Sequence, residues 1–254
     1  MTQPDPTALT IVAGATGEIG RVVVSRLLAD GHRLLALART DGPLAALVDR
    51  HPAVRTCAVD LAVDDAVGRI ADAVDGTPVR MAVHMVAAPL GGSILDTPSA
   101  TLLTAVEVKV NGLLRLVRAV QPTLVEGSRL VAVGGNLGFD PVEGVSTAGI
   151  ANAAQANAIR QLSRALGPRG VTCHTVAPGP VATQRWRDMT ADQAAQQGVD
   201  VDEVRRRAAA DSPLGRLTTP DEVAWAIARL ADPQAGALTG SALLLDGGRR
   251  RALP

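Results

Sequence analysis

The chain has 254 residues, 47% of them hydrophobic, and its 25 basic and 25 acidic side chains cancel to a formal charge of zero. That balance leaves no electrostatic footprint for nucleic acid or an anionic membrane, and an aromatic content of 1% (Phe139, Trp186, Trp225) leaves no stacking platform for single-stranded nucleic acid. No apolar run approaches the roughly eighteen residues of a membrane span, and the opening Met-Thr-Gln-Pro-Asp-Pro lacks the regions of a secretion signal, so a cytoplasmic protein is expected.

From residue 9 onward, short Val/Ala/Leu-rich runs alternate with longer amphipathic stretches, the pattern of strands covered on both faces by crossover helices. Strands are expected at 9–13, 33–38, 55–59, 81–86, 129–133, 171–176 and 242–245, and helices at 18–29, 43–48, 63–74, 101–124, 147–166 and 221–230. Right-handed crossovers then make the fold class α/β, a Rossmann-type doubly wound parallel sheet of about seven strands, with strand 1 beside strands 2 and 4. Residues 1–254 read as a single domain without repeat or linker. The long irregular section 184–214 contains the helical run Val201-Asp-Glu-Val-Arg-Arg-Arg and reads as a helical lid at about 184–214. Cys57 and Cys173 fall in separate strands and read as buried free thiols; no metal site is expected.

Between the first strand and helix stand Gly14, Gly17 and Gly20, where missing side chains let backbone approach a pyrophosphate and the free helix amides receive it; a tight strand-to-helix turn alone would use the same glycines. Glu18 in that turn suits the positive helix end, but near a pyrophosphate its carboxylate has to point away. After strand 2, Arg39 stands where an acidic residue would grip a ribose 2′-hydroxyl, which favours a 2′-phosphate; a solvated loop arginine is the plain alternative. Asp60 before the third helix suits a helix cap equally well.

Gly14-Ala-Thr-Gly17-Glu-Ile-Gly20, Val-Asn111-Gly, Ala-Pro178-Gly179-Pro-Val-Ala-Thr183 and Asp246-Gly-Gly together resemble the short-chain dehydrogenase/reductase family across nearly the whole chain. The resemblance implies NADP(H), with NAD(H) second, held by Gly14, Thr16, Gly17, Glu18, Ile19 and Gly20. Asp60 and Leu61 would lie at the adenine, and Pro178, Gly179, Val181 and Thr183 at the nicotinamide carboxamide. It also implies a Ser, a Tyr and a Lys as proton-transfer apparatus. Gly135 stands at the Ser position, Ala148 at the Tyr position and Asn152 at the Lys position; Asn111 matches the residue that anchors a relay water. The chain has no Tyr, and its one lysine, Lys109, lies away from the family position. Losing a positioned acid costs roughly 10²–10⁴ in rate and losing an oxygen donor a further 10²–10³ or so, so reduction by the family mechanism is expected to be nearly absent.

Substitute groups are sought among His84, which otherwise serves as a structural histidine, and Asp140 and Glu143, which otherwise are solvated loop charges. Ser146 and Thr147 read as helix caps and His174 as structural. Met85, Leu90, Leu137, Phe139, Val142, Val145, Val181, Trp186 and Met189 are expected to line an apolar pocket for a bulky hydrophobic small molecule. Three functions follow. The first is non-standard chemistry (cyclisation, dehydration or isomerisation). The second is an NADPH-dependent reductase with a substitute proton donor. The third is a non-catalytic dinucleotide-binding regulator or partner of an active paralogue. The segments Pro213-Leu-Gly-Arg216, Leu238-Thr-Gly240 and Asp246-Gly-Gly248 resemble family subunit contacts and imply a homodimer or homotetramer.

Overall fold

Strands that carry apolar residues on both faces are buried between two helical layers. The computed structural model, which describes residues 7–88 and 92–250, builds that arrangement from β1 (Leu9–Ala13), β2 (Arg33–Ala38), β3 (Arg55–Ala58), β4 (Val79–His84), β5 (Leu124–Val133), β6 (Thr172–Pro178) and β7 (Ala242–Leu245). They form one parallel sheet in the order β3-β2-β1-β4-β5-β6-β7. The order reverses between β1 and β4, which opens a crevice at the carboxyl ends of those strands.

All five residues of β1 are buried, and the strand's two-residue period divides them between the layers. Ile11 packs with Ile70 of α3 (Ala66–Val74), Leu113 and Leu116 of α5 (Gly112–Val120) and Ile159 of α6 (Ser146–Leu166). Val12 packs with Val23 and Leu27 of α1 (Glu18–Ala29), Leu44 of α2 (Asp41–Arg50) and Ile227 of α9 (Pro220–Arg229). Each such fully buried aliphatic side chain contributes about 1.5–3 kcal/mol of transfer free energy, so the sheet is fixed from both faces.

Strands β1, β2 and β7 and helix α1 have the expected bounds. Strand β4 begins two residues early, because Val79 pairs with both Leu9 and Leu124, and ends at His84, beyond which Met85 makes one last bond to Ala13 and the chain leaves the sheet. Strand β5 starts at Leu124 through exposed residues whose pairing is anchored by Ser128 donating to the Val79 carbonyl, a tertiary bond that hydropathy does not reveal. The expected single helix 101–124 is a broken rod: α4 (Ser99–Val106), one π turn (Glu107–Asn111), α5 and a 3₁₀ turn (Gln121–Thr123). The 184–214 section folds as α7 (Gln184–Gln197), whose start is capped by Thr183, and α8 (Val201–Ala210), capped by Asp200. Thr219 and Glu222 close a capping box on α9, with Pro220 in its first turn. Cys57 on β3 and Cys173 on β6 are free thiols, and burial pushes Cys173 up to about 12. Among the described residues no helix is long and apolar enough to cross a membrane, and no cluster of acidic, His and Cys side chains could hold a metal.

Three histidines are buried on sheet strands or their approaches. His32 shares a hydrogen bond with Thr10 Oγ1 (2.8 Å), His84 with Gln155 Nε2 (3.2 Å) and His174 with Thr172 Oγ1 (2.8 Å). Burial, with smaller contributions from Arg80, Lys109 and Arg129 respectively, lowers them to about 4, 3 and 4. Each is neutral when folded and takes up a proton more readily when unfolded, so its contribution is complete above 6.5 and drains away as pH falls toward those values. Denaturant titrations should therefore show unfolding free energy falling between pH 6.5 and 4, with a shallower fall in His174→Asn; an identical slope in that variant would assign the acid sensitivity elsewhere.

Candidate functional site

The crevice is floored by backbone. Gly14 has φ +88°, which a side chain rarely adopts, and a Cβ there would stand 3.0 Å from the Met85 carbonyl oxygen. A Cβ on Gly20 would run into the Gly14 carbonyl, so the first turn of α1 packs against β1 only as glycine. No side chain caps α1, which leaves its N-terminal amides available to an anion. Gly14, Thr16, Gly17, Arg39, Asp60 and Leu61 border one groove of about 430 Å³, with Met85 and Ala87 at its inner end. Asp60 Oδ1 accepts from the Ala62 amide at 2.9 Å, turning the chain into α3 three residues later than the sequence suggests. These residues fit a dinucleotide whose 2′ substituent would face Arg39.

Glu18 turns away from the groove. Its Oε2 accepts from the Gln184 amide at 2.7 Å and Oε1 lies 3.8 Å from Arg187, so the carboxylate sits at the N-terminus of α7 and ties the glycine turn to the 184–214 section. Ile19, Pro178, Gly179, Val181 and Thr183 line a second cavity of about 430 Å³ that shares Met85 and Ala87 with the groove. Thr183 Oγ1 also accepts from the Trp186 amide at 3.3 Å, so its side chain is partly committed as a cap.

The wall of this second cavity carries Gly135, Ala148 and Asn152 together with Leu137, Val142, Val145, Trp186 and Met189. Ala148 and Asn152 share one face of α6, as residues four apart must. The Asn152 amide nitrogen occupies the room in front of Gly135, where a Cβ would come within 2.8 Å of it, and Asn152 Oδ1 is buried without a hydrogen-bond partner. Phe139 does not line the cavity and lies under the Arg250 guanidinium, 5.9 Å from its ring centre; Leu90 lies outside the described residues. Asp140 lines the cavity, whereas Glu143 lines a neighbouring depression of about 520 Å³ with Ile94 and Ile150. Ser146 does not cap α6: its hydroxyl donates to the Gly92 carbonyl at 2.9 Å.

Two expectations about polar groups change. Asn111 is exposed and its amide donates to Glu107, because the π turn at Glu107–Asn111 adds a residue to the helical turn and shifts the side-chain phase. His84 is wholly buried behind the wall, covered by Gly112 and held by Gln155, and burial keeps it neutral. The same π turn brings Lys109 into the cavity, 8% exposed, with Nζ donating to the Val133 carbonyl at 2.9 Å. Burial first, and the Arg185 charge second, lower its ammonium to about 8. Arg185 and Arg249 also reach the cavity; the former donates to the Ala88 carbonyl at 2.8 Å and the latter is committed to Asp211 and the Ala208 carbonyl. The residue spacing hid these three. The one available signal was a lone lysine between valines in an otherwise apolar helical stretch.

A doubly wound sheet with a glycine-floored crevice at its reversal point, opening into an apolar cavity, defines a Rossmann domain of the oxidoreductase type. The family model described as enoyl-(acyl carrier protein) reductase matches residues 14–250, and the chain belongs to the short-chain dehydrogenase/reductase family. It is 32% identical to short-chain reductase protein NovJ of Streptomyces niveus, over 95% of this chain and 94% of that one. It is 28% identical to a putative ketoacyl reductase of monensin polyketide synthase from Streptomyces virginiae, over 94% and 96% of the two chains. The structure of an actinorhodin polyketide ketoreductase with NADPH superimposes with a TM-score of 0.86 at 26% identity, covering 98% of this chain and 99% of that one.

The Glu18 contact yields a direct test. Removing an acceptor at a helix N-terminus costs on the order of 1 kcal/mol, so Glu18→Ala should speed hydrogen exchange at the Gln184 to Arg187 amides by about fivefold while sheet amides keep their protection. Unchanged exchange there would mean that the contact does not hold α7.

Proposed function

We propose that the chain is an NADP(H)-dependent reductase acting on a carbonyl group of a bulky, largely apolar small molecule. The observation that carries this reading is that the groove and the cavity share Met85 and Ala87 as lining residues. A dinucleotide lying along the glycine turn ends where the apolar cavity begins. Relatives and neighbours named as reductases of polyketide systems, one of them solved with NADPH, support the same reading. Non-redox chemistry is the alternative for a cavity without a proton source. The buried Lys109 amine on its wall moves the balance to reduction.

Each part of the chain then has a task. Arg39 pairs with a 2′-phosphate, and the uncapped amides of α1 receive the pyrophosphate. Bound NADPH supplies a hydride at its nicotinamide end. Leu137, Val142, Val145, Trp186 and Met189 exclude water and hold the apolar body of the guest, and Ala148 leaves space that a larger side chain would fill. Thr183 and the backbone at Pro178 and Gly179 border the nicotinamide end. Assembly as a homodimer or homotetramer is part of this proposal and follows the family.

Calorimetric titration tests the cofactor half. NADPH should bind at least about tenfold more tightly than NADH, roughly 1.4 kcal/mol, and Arg39→Asp should erase or reverse that preference. Consumption of NADPH in the presence of a panel of bulky aryl ketones and enones tests the other half. No binding of either nucleotide, or no consumption with any member of the panel, would overturn the reading.

A further inference from the structure

Lys109 is the most anomalous group in the molecule. The residue is buried, 8% exposed, yet its ammonium has one backbone carbonyl as hydrogen-bond partner, and no ion pair among the described residues includes it. A buried charge ordinarily has a counter-charge or a full set of acceptors, because several kcal/mol of solvation are otherwise forfeited. One bond to Val133 leaves two N–H donors on Nζ. The groups around it do not supply the missing charge. His84 on β4 is neutral behind the wall, Arg185 on α7 is another cation, and Asp140, the one acid on the cavity wall, makes no ion pair with Lys109. Opposite in chemical sense is Asn152 Oδ1, a buried acceptor without a donor on the same cavity. The cavity wall therefore carries a cation with two spare donors and an amide with one spare, buried acceptor, alongside Asp140, Thr183, Arg185 and Arg249.

That pairing matches an oxygen that arrives as an acceptor and leaves as a hydroxyl. We propose that Lys109 is the acid of the reaction, its ammonium donating to a carbonyl oxygen of the guest and giving that oxygen a proton as it becomes negative, with Asn152 accepting from the hydroxyl that results. This assignment rests on the reductase reading given above. A hydride is added to the carbonyl carbon, the carbon–oxygen π pair moves to oxygen, the Nζ–H bond breaks and an O–H bond forms. Lys109 is left as a neutral amine and regains a proton from water. The carbonyl is reduced and NADPH is the two-electron donor. The guest class follows: an apolar molecule whose carbonyl, enolate or phenolate oxygen reaches Lys109, rather than one held by surface charge. Lowering of the Lys109 ammonium to about 8 by burial suits a group that must give up and regain its proton near neutrality.

The test uses a naphthol as an apolar oxygen probe, followed by its ultraviolet spectrum, with the full chain and no nucleotide. Naphthol bound to the wild-type protein should show the naphtholate band at a pH where free naphthol is neutral, since the cation favours the anion. In Lys109→Met the bound probe should stay neutral. NADPH affinity of Lys109→Met should be unchanged, which also reports that the variant is folded, while its turnover of the ketone panel falls by about 10²–10⁴. Neutral naphthol on the wild-type protein, or undiminished turnover in Lys109→Met, would overturn the assignment and leave the reductase reading standing. Naphtholate formation without any NADPH consumption would overturn the reductase reading and with it Lys109 as the acid of a reduction.

Discussion

One hydrogen bond, from Lys109 Nζ to the carbonyl of Val133, joins the broken helical rod to the carboxyl end of β5 and determines what the cavity can do. It exists only because the π turn at Glu107–Asn111 rotates the side chains that follow α4, turning Lys109 inward and Asn111 outward. A regular helix through the same residues would present a different face to the sheet. Gln155 Nε2, donating at 3.1 Å to the Lys109 carbonyl, satisfies backbone that the wider turn frees and links that turn to His84. The polar layer behind the cavity is thus continuous from His84 through Gln155 to the Lys109 backbone, and its neutral members confine the charge to one ammonium.

Around that point the cavity wall carries Gly135, Ala148 and Asn152. Asn152 fills the space before Gly135 with an amide, and Ala148 widens the wall. The amine and the amide stand on opposite sides of the cavity from those the family pattern implies: the amide on α6, the amine on the π turn. At the other end of the crevice, Glu18 keeps its charge off the glycine turn by accepting from the first amide of α7. The same contact ties the glycine turn to the start of α7, whose Trp186 and Met189 line the cavity.

The fold was legible because its signals are local. Residues 9–13 and 33–38 are mostly apolar runs closed by Gly14 and by Arg39, and helix 18–29 has its apolar residues at helical spacing. The glycine turn beside the groove was legible for the same reason, since Gly14, Gly17 and Gly20 lie within seven residues. The proton source was not. Whether Lys109 or Asn111 faces the cavity depends on one extra residue in a helical turn, and hydropathy carries no record of that phase because valines flank Lys109 on both sides. Glu18 was seen to need another direction to point, but its partner is 166 residues away. Of the polar groups named as substitutes, His84, Asp140 and Glu143, the last lines a neighbouring depression and the first two lie on the strand end and loop at the cavity. Burial removes His84 from the cavity, and Asp140 stands on its wall.

The most direct measurement is a crystal structure of the wild-type chain with NADP⁺ and a bulky apolar ketone bound together. The account predicts the ketone oxygen within hydrogen-bond distance, about 3 Å, of Lys109 Nζ, on the Asn152 side of the cavity. A ketone bound productively against the nicotinamide with its oxygen directed to any other donor, Lys109 still held by Val133 alone, would contradict it.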